Sequence, residues 1–138
     1  MWTRVSILLL VLVCARANAA TITALDPGPA AVSNAMQLVS AGDILAIPAG
    51  NSNWTYGLTW TAPANVTVIG AGTSATGGGD QTVISDAIQS GSPILGITVT
   101  NGGFRMSGIT FQSGSSGVNK DGGTLAIYGP GMVRIDHC

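Results

Sequence analysis

The sequence contains no glutamate, and charged residues make up 8% of its 138 positions. Aromatic residues account for 5%, and the chain has one histidine and two cysteines. Helical domains are usually rich in Glu, Lys, Leu and Ala, so this composition argues against a helical protein. The 20 glycines, together with many Thr, Ser, Val and Ile residues, instead favour short β-strands joined by tight turns. The length allows one domain with a modest core.

The first 19 residues predict an export signal. Arg4 supplies a positive charge, residues 5–13 form a run that is apolar except for Ser6, and residues 17–19 (Ala-Asn-Ala) match a small-x-small cleavage site. The apolar run is shorter than the ~20 residues that span a bilayer, so we expect no membrane association after cleavage. The sequence therefore predicts a signal peptide at 1–19 and a secreted mature chain, extracellular or periplasmic, over 20–138.

The predicted mature chain has few charges. Three cations, Arg105, Lys120 and Arg134, stand against six aspartates, a net charge of −3. Nucleic-acid binding needs clustered Lys and Arg, so we expect no nucleic-acid partner. Cys138 is the one cysteine that remains, which leaves no internal disulfide.

Two strand-like segments occur twice. Residues 95–99 and 104–109 return as 125–128 and 133–138, with a fainter third copy in 44–47 and 66–70. A period of roughly 20–50 residues predicts a solenoid in which each unit packs on its neighbours.

The repeat also predicts the core. The side chains that should point inward and stack between units are Ile97 on Ile127 and Met106 on Ile135, with Ile47 and Val68 continuing the columns. Residues 30–40 predict a helix, and 51–64 an insertion or a second strand of the first unit. The turns at 101–103 and 129–131 could form hairpins, so a hairpin sandwich is the alternative, but the repeat favours parallel coils.

Residues 32–50, VSNAMQLVSAGDILAIPAG, resemble the opening of secreted proteins of the pectin-lyase-like superfamily. There a capping helix leads into Gly-Asp, an apolar strand and Pro-Ala-Gly; residues 67–72, 104–111 and 133–138 resemble successive rungs. The resemblance implies an all-β fold, a right-handed single-stranded parallel β-helix with a short N-terminal capping helix. It also implies that 20–138 are the N-terminal rungs of one β-helix domain, truncated at the C-terminal end.

Residues 133–137 resemble the Val-Trp-Ile-Asp-His stretch of pectate lyases, with Arg134 in place of Trp. Alternation along a strand should place Arg134 and Asp136 outward and His137 inward or at a corner, so Asp136 and His137 should not reach one substrate. The catalytic candidates are Arg134, Asp136, His137 and Asp121. A corner histidine is the favoured interpretation of His137, and a solvated turn that of Asp121.

The sequence predicts no cofactor and no metal site in this segment. Calcium takes about 6–8 oxygen ligands, and Asp121 and Asp136 are the only acids after residue 88. A calcium site in a longer protein would need residues beyond Cys138.

Trp54, Tyr56 and Trp60 form a small aromatic group, and exposed aromatics stack on sugar rings. Trp54 and Tyr56 would share one face of an extended segment and are candidates for carbohydrate contact. For Trp60, packing over the first unit is the favoured interpretation. For Trp54, both packing and carbohydrate contact are open.

The resemblance implies a polysaccharide-active enzyme, a lyase or a glycoside hydrolase, whose catalytic site lies downstream of this segment. The alternative is a non-catalytic β-helix, an adhesion or tailspike-like protein that binds carbohydrate. In either case we expect an extracellular polysaccharide as partner and a monomer at full length. The 138-residue chain alone is expected to be inactive, because no acid, base and metal-ligand cluster is evident in it.

Overall fold

The computed structural model describes residues 18–72, 79–113 and 123–138. Within these ranges the protein is mostly β, with one helix and short parallel strands. The elements in chain order are β1 (Thr21–Thr23), α1 (Pro29–Met36), β2 (Ile44–Ala46), β3 (Gly50–Trp54), β4 (Leu58–Ala62), β5 (Val66–Ile69), β6 (Thr82–Asp86), β7 (Leu95–Val99), β8 (Gly103–Ser107), β9 (Thr110–Ser113), β10 (Leu125–Tyr128) and β11 (Met132–Asp136).

The strands form three sheets. Sheet 1 has the order β1-β2-β5-β8-β11, sheet 2 the order β3-β6-β9, and sheet 3 the order β4-β7-β10. Every strand pair in them is parallel. The hairpin alternative is therefore wrong: the turns at 101–103 and 129–131 each connect a strand of sheet 3 to a strand of sheet 1.

The chain visits the sheets in a fixed order. From β2 onward, successive strands belong to sheets 1, 2 and 3, and this order repeats until β11 returns to sheet 1. From β5 onward, each strand pairs with the strand of the same sheet from the previous pass. Parallel strands require such long crossovers, since a tight turn can only join antiparallel neighbours.

The pairing register confirms the repeat alignment between the last two passes. Ile127 lies opposite Ile97, and Ile135 lies opposite Met106. Ile97 and Met106 have no exposed surface. Ile127 is partly buried against the core, whereas Ile135 is 43% exposed because no strand in the described ranges covers the far side of β11.

The fainter third copy is only half correct. Val68 lies opposite Met106 as predicted, whereas Ile47, expected to continue the column of Ile97, directly follows β2 of sheet 1. The partner of β7 is β4, which places Trp60 beside Ile97. The segment 51–64 thus holds two strands, β3 and β4, and each full pass has three strands instead of two.

Helix α1 is shorter than the sequence predicts. It begins at Pro29, where a missing N–H costs nothing, and ends at Met36 instead of Ser40. The carboxylate of Asp43 accepts a hydrogen bond from the Ser40 amide at 2.8 Å, which turns the chain toward β2. Val32 and Met36 are buried in the hydrophobic core, so the helix packs against this core near β4.

Candidate functional site

Two arginines and one aspartate form a charged cluster on sheet 1. Arg105 in β8 and Arg134 in β11 are register partners, so their side chains lie on one face of neighbouring strands. Asp136 Oδ1 accepts a hydrogen bond from Arg105 Nε at 3.2 Å. Asp136 Oδ2 lies 3.1 Å from Nη2 of Arg105 and 2.7 Å from Nη2 of Arg134. The two guanidinium groups thus share one carboxylate.

These contacts fix the charge state of Asp136. Hydrogen bonding from Arg105 lowers the pKa of the Asp136 carboxyl, and the charges of Arg105 and Arg134 act in the same direction, against a smaller opposing effect of burial. The carboxylate is therefore ionised at neutral pH and engaged in ion pairs. A carboxylate held in this way is a poor proton donor at neutral pH, because catalytic acids need a pKa near the operating pH.

Acid is expected to weaken the fold through Asp136. Since its pKa is lower in the folded than in the unfolded chain, its ion pairs contribute stability that is present above the ordinary carboxyl pKa of about 3.9. This contribution is lost as the pH falls through the lowered folded value. The natural chain should unfold at higher urea concentration than Asp136→Asn at pH 7, and the difference should shrink as the pH falls below the ordinary carboxyl pKa. Unfolding is monitored by circular dichroism. A stability difference between the two proteins that stays constant over this pH range would contradict the assignment of the Asp136 ion pairs.

His137 does not follow the alternation predicted for it. It comes directly after β11 with a φ of 52°, in the left-handed region that non-glycine residues rarely adopt. This conformation brings its Nδ1 to 3.9 Å from Asp136 Oδ2 and leaves about half of the side chain exposed. The expectation that Asp136 and His137 point to opposite faces is therefore wrong. The His137 carbonyl accepts a hydrogen bond from the Gly108 amide at 2.9 Å, as suits a corner residue.

Three of the four catalytic candidates, Arg134, Asp136 and His137, are thus neighbours on one surface. The fourth, Asp121, lies outside the described residues. In residues 18–72, 79–113 and 123–138, no group of three or more His, Cys, Asp or Glu side chains is arranged to hold a metal ion.

Trp54 is a core residue. Its side chain has no exposed surface at the end of β3, and its Nε1 donates a 2.9 Å hydrogen bond to the Pro27 carbonyl. Burial satisfies the one polar atom of the indole, so the ring is not available to a sugar. The expectation of a carbohydrate-contacting Trp54 is corrected accordingly. Trp60 packs as predicted, with its ring centroid 6.4 Å from that of Phe104 in an edge-to-face arrangement.

Tyr56 lies in a groove on sheet 3. The side chain is 49% exposed in the turn between β3 and β4, and Tyr128 of β10, 56% exposed, lines the same groove. The groove has a volume of about 590 Å³ and runs across strands of sheet 3, with the 88–93 connection forming part of its wall. This volume is in the range of small-molecule binding sites.

Gly96 forms the floor of the groove beside Thr59, its register partner in β4. A Cβ atom at Gly96 would lie 3.5 Å from Thr59 Cγ2 and 3.7 Å from Tyr128 Cε2, both ordinary contact distances. The gap between Thr59 and the Tyr128 ring above Gly96 is therefore about the size of one methyl group. Glycine within a strand often marks such a close approach of a ligand or another chain.

Sequence reasoning found Tyr56 and missed Tyr128. The signal was present in β10, where Leu125 and Ile127 point to the core and Tyr128 must then face outward. What the sequence alone did not supply is that β10 and the β3–β4 turn belong to one surface, since this depends on the register of sheet 3.

Comparisons of the chain with protein-family models, with curated proteins and with solved structures gave no match. In the described part of the chain, no helix has the length and apolar character needed to cross a membrane.

Proposed function

We propose that the three sheets are the faces of one right-handed parallel β-helix, as the resemblance to the pectin-lyase-like superfamily implies, with α1 as its N-terminal cap. The cyclic order of the strands and the stacking of each pass on the previous one support this proposal. The handedness follows the general rule that crossovers between parallel strands of one sheet are right-handed.

We further propose that the chain is exported and binds an extracellular polysaccharide through the groove between Tyr56 and Tyr128. The observation that carries this proposal is the pair of half-exposed tyrosine rings lining one groove across stacked strands. Tyrosine offers a flat apolar face to the C–H groups of a sugar ring and a hydroxyl for hydrogen bonding. A groove that crosses successive strands suits an extended polymer, because each strand adds a further ~4.8 Å of surface.

Removal of either tyrosine ring should weaken binding. We expect Tyr56→Ala and Tyr128→Ala each to lower the affinity for the bound polysaccharide about tenfold, since buried aromatic anchors commonly contribute more than 1 kcal/mol. The measurement is native gel electrophoresis with a panel of neutral and acidic polysaccharides in the gel, followed by calorimetry with the polymer that retards the protein.

Two controls accompany this experiment. Tyr128→Phe retains the ring and should keep most of the affinity, and Arg134→Ala removes a side chain from the charged cluster without touching the groove. Retardation that survives the loss of both tyrosines, or no retardation by any polymer of the panel, would contradict the proposed function.

Polysaccharide cleavage is the second candidate, and the clustering of Arg134, Asp136 and His137 within 4 Å contacts favours it. β-Elimination needs a base beside the sugar, and hydrolysis needs a pair of carboxylates. Either reaction would therefore need further catalytic groups from outside this cluster. Release of reducing ends or unsaturated products that His137→Ala abolishes would favour cleavage over binding alone.

A further inference from the structure

We infer that the groove between Tyr56 and Tyr128 selects neutral polysaccharides and rejects polyuronates. This inference rests on the proposed function and specifies the substrate class of the same site. It begins with the chemistry of the groove lining: among the residues that the structure describes, the lining consists of Tyr, Thr, Ser, Gln, Pro, Gly and aliphatic residues and includes no charged side chain.

The lining offers apolar surface and neutral hydrogen-bonding groups. Tyr56 and Tyr128 supply apolar area, while Thr59, Gln89 and Ser90 supply hydroxyl and amide groups. Such groups can exchange hydrogen bonds with sugar hydroxyls as both donors and acceptors. A neutral hexose presents the same two features, an apolar face and a rim of hydroxyls.

A uronate would be at a disadvantage in this groove. Its carboxylate would lose part of its hydration on entry, and a partly desolvated charge without a partner is costly. Arg105 and Arg134 are exposed and could pair with a carboxylate, but they belong to sheet 1, whereas the groove runs on sheet 3. Charge complementarity therefore favours a neutral occupant.

The groove floor provides a steric test of the site. Gly96→Ala places a methyl group at ordinary contact distance from Thr59 and Tyr128, and the Gly96 backbone is not in the left-handed region. The variant should therefore fold as the natural chain does while raising the groove floor by one methyl group. We expect neutral polysaccharide to bind roughly tenfold more weakly, as for the loss of one buried contact at a binding hot spot.

A charge introduced into the groove provides a test of its selectivity. Thr59→Lys adds a cation to the lining and should confer binding to polygalacturonate, with a strong dependence on salt because the attraction is between charges. Thr61→Lys is the matched control: Thr61 is exposed two positions along the same strand and face, outside the groove lining. It adds the same charge and should confer little binding.

The experiment compares hydroxyethylcellulose, galactomannan and polygalacturonate in native affinity gels at low and high salt. We expect retardation of the natural chain by at least one neutral polymer, insensitive to salt, and none by polygalacturonate. Retardation by polygalacturonate that Tyr128→Ala abolishes would overturn the neutral selectivity while sustaining the site. Retardation by neutral polymers that Tyr128→Ala leaves intact would overturn both, as would the absence of retardation by every polymer.

Discussion

Replacement of Ile97 by aspartate is expected to abolish cooperative folding. Ile97 has no exposed surface and lies in β7 between Trp60 of β4 and Ile127 of β10. Truncation of such a side chain to alanine costs about 2–5 kcal/mol, and a carboxylate in the same place adds the penalty of an unpaired buried charge. Single domains are stable by only about 5–15 kcal/mol, so the aspartate variant should show no unfolding transition in urea followed by circular dichroism.

Thr98→Asp is the matched control for this change. Thr98 is the next residue of the same strand, points to the opposite face and is partly exposed. Its replacement should leave a cooperative transition with a midpoint near that of the natural chain. Ile127→Asp should fall between the two, because Ile127 is only partly buried. A folded Ile97→Asp variant would contradict the inward orientation of β7.

Replacement of Gly70 by valine is expected to have the next largest effect. Gly70 follows β5, and a Cβ atom there would collide with the carbonyl group of Gly108 on the next pass of the chain. The two segments are held together by hydrogen bonds from the Gly70 amide to Ser107 at 2.8 Å and from the Gly72 amide to Gly108 at 3.1 Å. Because the obstacle is backbone, it cannot rotate away as a side chain would.

We expect Gly70→Val to lower the free energy of unfolding by about 3 kcal/mol, the upper part of the range for overpacking. Ala71→Val adds comparable bulk at the neighbouring exposed residue and should change the free energy by less than about 0.5 kcal/mol. Urea unfolding of the three proteins gives both values. Equal stability of the two variants would show that the Gly108 carbonyl group leaves room for a side chain at position 70.

The repeat was enough to predict pairings that are distant in the sequence. Alternation and the shift between copies correctly predicted Ile97 opposite Ile127 and Arg105 opposite Arg134, because a one-residue slip would have moved apolar side chains to the wrong face. The same reasoning missed β4. Its Trp60 is flanked by threonines and has no close counterpart in the repeat, so the three-strand pass was not evident.

The candidate site was less predictable than the core. The burial of Trp54 depends on the Pro27 carbonyl, 27 residues earlier, and nothing local distinguishes a Trp that finds such a partner from one that faces solvent. The position of His137 depends on a left-handed backbone conformation that its residue type does not demand. Tyr128 and Tyr56 line one groove because of the register of sheet 3 and the fold of the β3–β4 turn, and neither is evident in the local sequence.

The measurement that tests the proposed site most directly is a crystal structure of the chain with a neutral β-1,4-linked glucose hexamer. We predict a coil of parallel strands with the sugar across sheet 3, at least one ring stacked on Tyr56 or Tyr128 and one above Gly96. Sugar bound instead at Arg105 and Asp136 on sheet 1, or an empty groove at a concentration that saturates gel retardation, would contradict the assignment of the groove.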